Sequence, residues 1–293
     1  MPRIAANGIE IEYESFGQQG NPPLLLIMGL AAQMILWEDD FCRELASRGF
    51  HVTRFDNRDV GQSTWMKDAG VPDVGAALMA SMTGGRVEAP YTLSDMAADT
   101  VGLMDALGIA SAHIVGASMG GMIAQTLAIE HPARVRTLTS IMSTTGDPAL
   151  PPPTPEAMSV LFMPPVAGRE ENIERGVKVF RTIGSPGFPF DEAGVRDIAA
   201  RAFDRGFHPE GVARQIAAIF ASGSRKAGLA AVTVSTLVLH GKADPLVPYE
   251  AGADTAEAVA GAKLVGIEGM GHDMPRGVWP RILDEICELA ARA

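Results

Sequence analysis

Cysteine is scarce in this chain: 293 residues contain two, Cys42 and Cys287. Two thiols cannot build the framework of a disulfide-stapled secreted scaffold, and no Cys/His cluster has the spacing of zinc ligands. Aromatic residues are few, at 6%. No apolar run approaches the roughly 20 residues that a membrane-spanning helix needs. Basic residues are outnumbered, 24 Lys and Arg against 35 Asp and Glu, for a net charge of −11. That balance lacks the electrostatic footprint of a nucleic-acid binder. The opening residues, Met1-Pro-Arg-Ile-Ala-Ala-Asn-Gly-Ile-Glu10, lack the long apolar core of a signal peptide. Neither a Gly-rich dinucleotide fingerprint nor a P-loop is present. The expectation is a cytoplasmic protein with both thiols buried, acting on a small molecule. It needs no cofactor or metal, no nucleic acid and no membrane span. Assembly into a homo-oligomer is left open by the sequence.

What is present centres on Ala112-His-Ile-Val-Gly-Ala-Ser-Met-Gly-Gly-Met-Ile-Ala-Gln-Thr-Leu-Ala-Ile-Glu130. A buried-strand pattern enters Gly116-Ala-Ser-Met-Gly120 and an apolar helix leaves it. Gly-x-Ser-x-Gly between a strand and a helix places a serine on a turn so tight that the flanking positions must lack side chains. With 32 glycines in the chain the motif alone is weak. Order strengthens it. A buried strand beginning at Thr236 ends in a loop carrying Asp244, and a further strand from Ala262 ends in a loop carrying His272. A serine hydroxyl needs a base within hydrogen-bond reach, and histidine suits that task near neutral pH. A carboxylate fixes the histidine's tautomer and stabilises its cation. Asp254 and Asp273 are the competing acids. His51, His113, His131, His208 and His240 are poorer bases by position. The candidate catalytic set is therefore Ser118, Asp244 and His272.

Acyl chemistry also needs donors for an oxyanion. The backbone N–H of Met119 opens the helix after the serine and gains from its dipole. The second donor is assigned to the N–H of Leu30, in the loop after the strand Pro23-Leu-Leu-Leu-Ile-Met-Gly-Leu30.

Beyond these residues, Leu25-Leu-Ile-Met-Gly-Leu30, Trp37 and Arg54-Phe-Asp-Asn-Arg-Asp-Val-Gly-Gln-Ser-Thr64 complete a pattern that resembles the α/β-hydrolases over nearly the whole chain. The chain order Ser, Asp, His is also theirs. Met28-Gly29, Asp56-Asn-Arg-Asp59, Ser118-Met-Gly120 and Gly269-Met-Gly-His272 resemble the aclacinomycin methylesterase branch, which hydrolyses a methyl ester on a bulky anthracycline. The resemblance implies Ser118 as nucleophile, Asp244 as acid and His272 as base, with Leu30 and Met119 as the oxyanion hole. Many relatives carry His-Gly where this chain has Met28-Gly29. Ser118 argues against haloalkane dehalogenase chemistry, which places an aspartate at that turn.

Along the chain, strands near 8–16, 23–28, 51–56, 112–117 and 135–142 alternate with helices near 35–48, 92–107 and after Ser118. The first of these strands reads as an exposed antiparallel edge. Alternation of this kind predicts a mainly parallel central sheet with helices on both faces, an α/β-hydrolase fold. Its ligand site should lie beyond the carboxyl ends of the strands. From Asp147 to about residue 232 the rhythm breaks. A Pro-rich exit leads to helical patterns near 155–162, 170–182, 191–204 and 209–221. The expected organisation is a core domain of residues 1–147 and 233–293 with a helical cap of 148–232 inserted. Fifteen methionines are present. Met28, Trp37, Met142, Met163 and Met274 are the candidate substrate-contacting residues, though core filling is the commoner role of methionine. The run Ser81-Met-Thr-Gly-Gly-Arg86 reads equally as an entrance loop or a linker. The predicted activity is hydrolysis of a carboxylic ester with a bulky or apolar portion. The same three residues also serve lactonases, carbon–carbon bond hydrolases and cofactor-free perhydrolases. A non-catalytic small-ligand receptor is the reading from a different class.

Overall fold

The computed structural model describes residues 1–293. Eight strands form one sheet: β1 (Arg3–Ala6), β2 (Ile9–Phe16), β3 (Pro23–Ile27), β4 (His51–Phe55), β5 (Ala112–Ala117), β6 (Val135–Ile141), β7 (Ser235–Gly241) and β8 (Lys263–Ile267). Their spatial order is β1-β2-β4-β3-β5-β6-β7-β8. The β1–β2 and β2–β4 pairs are antiparallel, and every other pair is parallel. Contrary to the sequence expectation, β2 is not the edge. It is covered by the four-residue strand β1, through pairs from Arg3↔Glu12 to Ala6↔Ile9.

Eleven α-helices accompany the sheet: α1 (Asp39–Ser47), α2 (Val74–Met82), α3 (Leu93–Ala106), α4 (Met119–Glu130), α5 (Pro155–Leu161), α6 (Arg169–Ile183), α7 (Glu192–Arg205), α8 (Pro209–Ser222), α9 (Lys226–Leu229), α10 (Tyr249–Ala258) and α11 (Trp279–Ala290). Strand residues alternate between two cores because successive side chains point to opposite faces. Leu25, Ile27 and Ile114 pack with α3 and α4, while Leu24, Leu26 and Val115 pack with α1 and α11. Burial on both faces explains why β3 and β5 read as continuous apolar runs.

The helix expected over 35–48 is broken. A 3₁₀ turn, Met34–Leu36, precedes α1, and the intervening Trp37 turns its carbonyl to the buried Arg54 guanidinium instead of to a helical N–H. The Thr92/Asp95 capping box does open α3. Residues 81 and 82 belong to α2, with Thr83 after it; this helix packs on α8. Of the two thiols, Cys42 is buried, which pushes it up to about 12, but Cys287 is only half-buried. No helix is long and apolar enough to cross a membrane. The helices α5 to α9 all lie between β6 and β7 in the chain.

Candidate active site

The turn between β5 and α4 carries Ser118 at φ 55° and ψ −122°, a left-handed conformation that costs a non-glycine residue energy. Its glycines are demanded by close approach. A Cβ at Gly116 would fall 2.1 Å from the Gly120 carbonyl oxygen, and one at Gly120 would fall 2.1 Å from that of Ile27. The serine is held from behind, since its N–H donates to the Ile141 carbonyl (2.9 Å) and its carbonyl accepts from the Ser143 hydroxyl (2.8 Å).

Three separate strand ends converge here. Ser118 Oγ lies 3.0 Å from His272 Nε2, and His272 Nδ1 lies 2.7 Å from Asp244 Oδ2. Asp244 is buried, and its Oδ1 accepts the N–H groups of Leu246 (2.9 Å) and Val247 (2.8 Å). Those bonds fix which oxygen faces the histidine. His240 Nε2 donates to the Val247 carbonyl (2.8 Å). The competing acids are engaged elsewhere. Asp254 accepts from Thr145 (2.6 Å) and pairs with Lys226, while Asp273 accepts from the Ser185 hydroxyl. Burial raises the Asp273 carboxyl above its ordinary range.

The loop after β3 crosses in front of the serine. A Cβ at Gly29 would sit 3.0 Å from Ser118 Cβ and 3.2 Å from the Ala117 carbonyl oxygen, so a larger residue would crowd the turn. The loop is clamped at both ends by amides. Asn57 Nδ2 donates to the Met28 carbonyl (2.8 Å), and the Ala31 N–H donates to Gln215 Oε1 (2.9 Å). Gln215 Nε2 in turn donates to the Arg58 carbonyl (2.9 Å). Between the clamps the Leu30 N–H has no acceptor in the chain. Met119 is the first residue of α4, where N–H groups have no preceding helical carbonyl. Sequence reasoning found the loop but missed Gln215, which lies on α8. Its one local signal was an uncharged amide beside Arg214 in the otherwise apolar stretch from Val212 to Phe220.

Each residue of the tetrapeptide Asp56-Asn-Arg-Asp59 has partners of its own. Asp56 binds the Met34 N–H (2.7 Å) and Arg205 (2.8 Å). Asn57 takes the Met28 carbonyl, and Arg58 forms a two-bond pair with Asp99 (2.5 and 2.6 Å). Asp59 receives two bonds from Arg214, both 2.8 Å. Burial works against ionising Asp59, but Arg214, the Met66 N–H and the Tyr91 hydroxyl outweigh it and hold the carboxyl below its usual range.

Above Ser118 and His272 lies a cavity of about 1570 Å³, in which 42 of 75 lining residues are hydrophobic. Met28, Trp37, Met142, Met163 and Met274 are all in its wall. Trp37 reaches it from behind, with its ring fully buried 5.5 Å from that of Phe41. Much of the remaining wall comes from α2 and from α5 to α8.

Known proteins share this architecture. The α/β-hydrolase fold family profile matches residues 22–181, and that of the TAP-like proteins matches 221–277. The chain is 30% identical to rhodomycin D methylesterase DauP of Streptomyces sp. strain C5, across 97% of its own length and 96% of the relative's. The corresponding DnrP of Streptomyces peucetius matches equally. Among solved structures, the enol-lactonase of Burkholderia xenovorans LB400 superposes with a TM-score of 0.74 at 23% identity, covering 99% of this chain and all of that one. The meta-cleavage product hydrolase CumD of Pseudomonas fluorescens IP01 gives 0.76 at 20% identity, covering 100% and 98%. With a mostly parallel eight-stranded sheet and relatives matched over nearly its full length, the chain belongs to the α/β-hydrolase fold family, as an esterase-type hydrolase.

Proposed function

We propose that this protein is a serine carboxylic-ester hydrolase acting through an acyl-enzyme on an ester with a bulky apolar portion. The observation that carries the reading is the relay Ser118–His272–Asp244, at 3.0 and 2.7 Å, opening into a large apolar cavity. Ser118 Oγ forms a bond to the ester carbonyl carbon as its proton moves to His272 Nε2. The carbonyl electron pair moves to the oxygen, which the N–H groups of Leu30 and Met119 receive. Each such donor is worth roughly a hundredfold to a thousandfold in rate. Collapse breaks the bond to the alkoxide, which leaves with the proton from His272. Water then repeats the sequence on the acyl-enzyme and returns the free acid and Ser118. Asp244 holds the imidazole in the required tautomer and balances its positive charge. The helices of residues 148–232 act as a cap that excludes water, with Met28, Trp37, Met142, Met163 and Met274 contributing to an adaptable apolar wall.

The test is turnover of p-nitrophenyl and methyl esters of increasing acyl size, with Ser118→Ala alongside. A loss of kcat on the order of a millionfold is expected in the variant. Full turnover by Ser118→Ala on the preferred ester would sink the reading.

A further inference from the structure

The charged side chains of the cavity wall have partners of differing quality, and among them Asp191 accepts the Gly194 N–H (3.0 Å) and Asp273 the Ser185 hydroxyl. Glu38 meets Arg276 (2.6 Å), Asp147 meets Lys226 (3.2 Å), and His208 faces Glu210 (3.1 Å). Arg225 lacks a carboxylate, yet its N–H groups reach Gln125 Oε1 (3.2 Å) and the carbonyls of Gly223 (3.0 Å) and Thr144 (2.9 Å). Arg175 has only the Met163 carbonyl, at 3.0 Å, and its Nε is buried with no acceptor at all. Burial alone pushes its pKa down, with no opposing carboxylate. Arginine nevertheless stays charged, so an uncompensated cation faces an apolar chamber.

Its position along α6 is informative. Asn172, Arg175, Val179, Phe180 and Ile183 all line the cavity, at the three- and four-residue spacing of one helix face. At the far end of that face the Ile183 carbonyl accepts the N–H of His272 at 2.7 Å. Eight residues separate Ile183 from Arg175, about 12 Å of helix axis. The helix therefore spans from the candidate base to the unpaired guanidinium, with Val179 and Phe180 between.

We propose that Arg175 is a distal subsite for a carboxylate, so that the substrate is an ester whose apolar acyl part ends in a free acid on the order of 12 Å from the reacting carbonyl. Half-esters of long dicarboxylic acids have this chemistry. The proposal deepens the esterase reading and rests on it. A planar guanidinium fork suits a carboxylate, and the Asn172 amide lies one turn away to assist. A phosphate dianion is disfavoured, since one free cation in a chain of net charge −11 does not balance it.

Binding separates this proposal from the reading beneath it. The Ser118→Ala protein, which holds esters without turnover, would be titrated calorimetrically with monomethyl esters of adipic, suberic and dodecanedioic acids and with the matching dimethyl esters. The expected result is a long half-ester bound at least about tenfold tighter than its neutral diester. Arg175→Met should erase that preference and Arg175→Lys keep part of it. Equal affinity for acid and diester while Arg175 is present overturns the assignment, whether or not the variants fold. A preference that survives Arg175→Met also overturns it. If the unsubstituted protein binds half-esters selectively but hydrolyses no ester, the esterase reading fails while the subsite stands.

Discussion

Helices α7 and α8 are tied to the loop after β4 through buried charge, whereas α5 and α6 reach the loops after β7 and β8 through apolar contacts and backbone bonds. On the first side, Arg214 pairs with Asp59 and Arg205 with Asp56, in positions almost closed to solvent. On the second side, Ala157, Val160 and Ile183 form a small apolar cluster with Leu246 against it. Single backbone bonds join Thr154 to Pro245, Gly187 to Gly269 and His272 to Ile183. The lesson lies in what each side tolerates. A buried ion pair fails abruptly when one partner is lost, because the other is left charged and unpaired. Apolar contacts fail in proportion to the atoms removed.

The comparison can be broken hardest at Arg214. Arg214→Met should destabilise the protein by about 3–5 kcal/mol in chemical denaturation, since it strands the Asp59 carboxylate. Little change in the denaturation midpoint would remove the distinction between the two sides. Gln215→Leu, on the same helix, frees the Ala31 N–H and with it the loop carrying Leu30. A loss of kcat approaching a hundredfold is expected, with a smaller change in KM. A rise in KM alone would mean that the clamp serves binding and not the loop.

On the apolar side, Ile183→Val should cost only about 0.5–1.5 kcal/mol, measured in the same denaturation series. A pH series sharpens the contrast further. Burial, together with Arg214, pulls His208 below its ordinary value, against the opposing pull of Asp59. The unfolded chain therefore binds a proton there before the folded one does. Stability from this site is complete above the ordinary histidine pKa and falls as pH drops through the depressed folded value. His208→Gln should flatten that acid slope in thermal melts, and an unchanged slope would clear His208 of the role. The smallest effect is expected from Arg196→Ala. It removes solvent-exposed pairs to Glu174 and Glu192 and should leave the melting temperature unmoved.

The contrast also separates what the sequence declares from what it hides. Strands β3, β5 and β7 and helices α6 to α8 follow from apolar runs and periodicity between Pro and Gly breaks. Ser118, Asp244 and His272 follow from a local turn motif and from chain order. Helix α2 was missed because Val74-Gly-Ala-Ala-Leu-Met-Ala-Ser-Met82 has no polar face to set a period. Strand β1 is defined only by its pairing with β2. The Gln215 clamp joins atoms 184 residues apart, and the solitude of Arg175 is a property of its neighbours. Neither leaves a trace in local pattern, because both are facts of tertiary packing.

One bond ties the end of α6 to the loop that carries His272. The last carbonyl of α6 belongs to Ile183, and it accepts the main-chain N–H of His272 itself. Raising that end of the helix therefore pulls on the very loop that aims the imidazole at Ser118. The placement of the imidazole and the seating of the last turn of α6 thus rest on the same backbone bond.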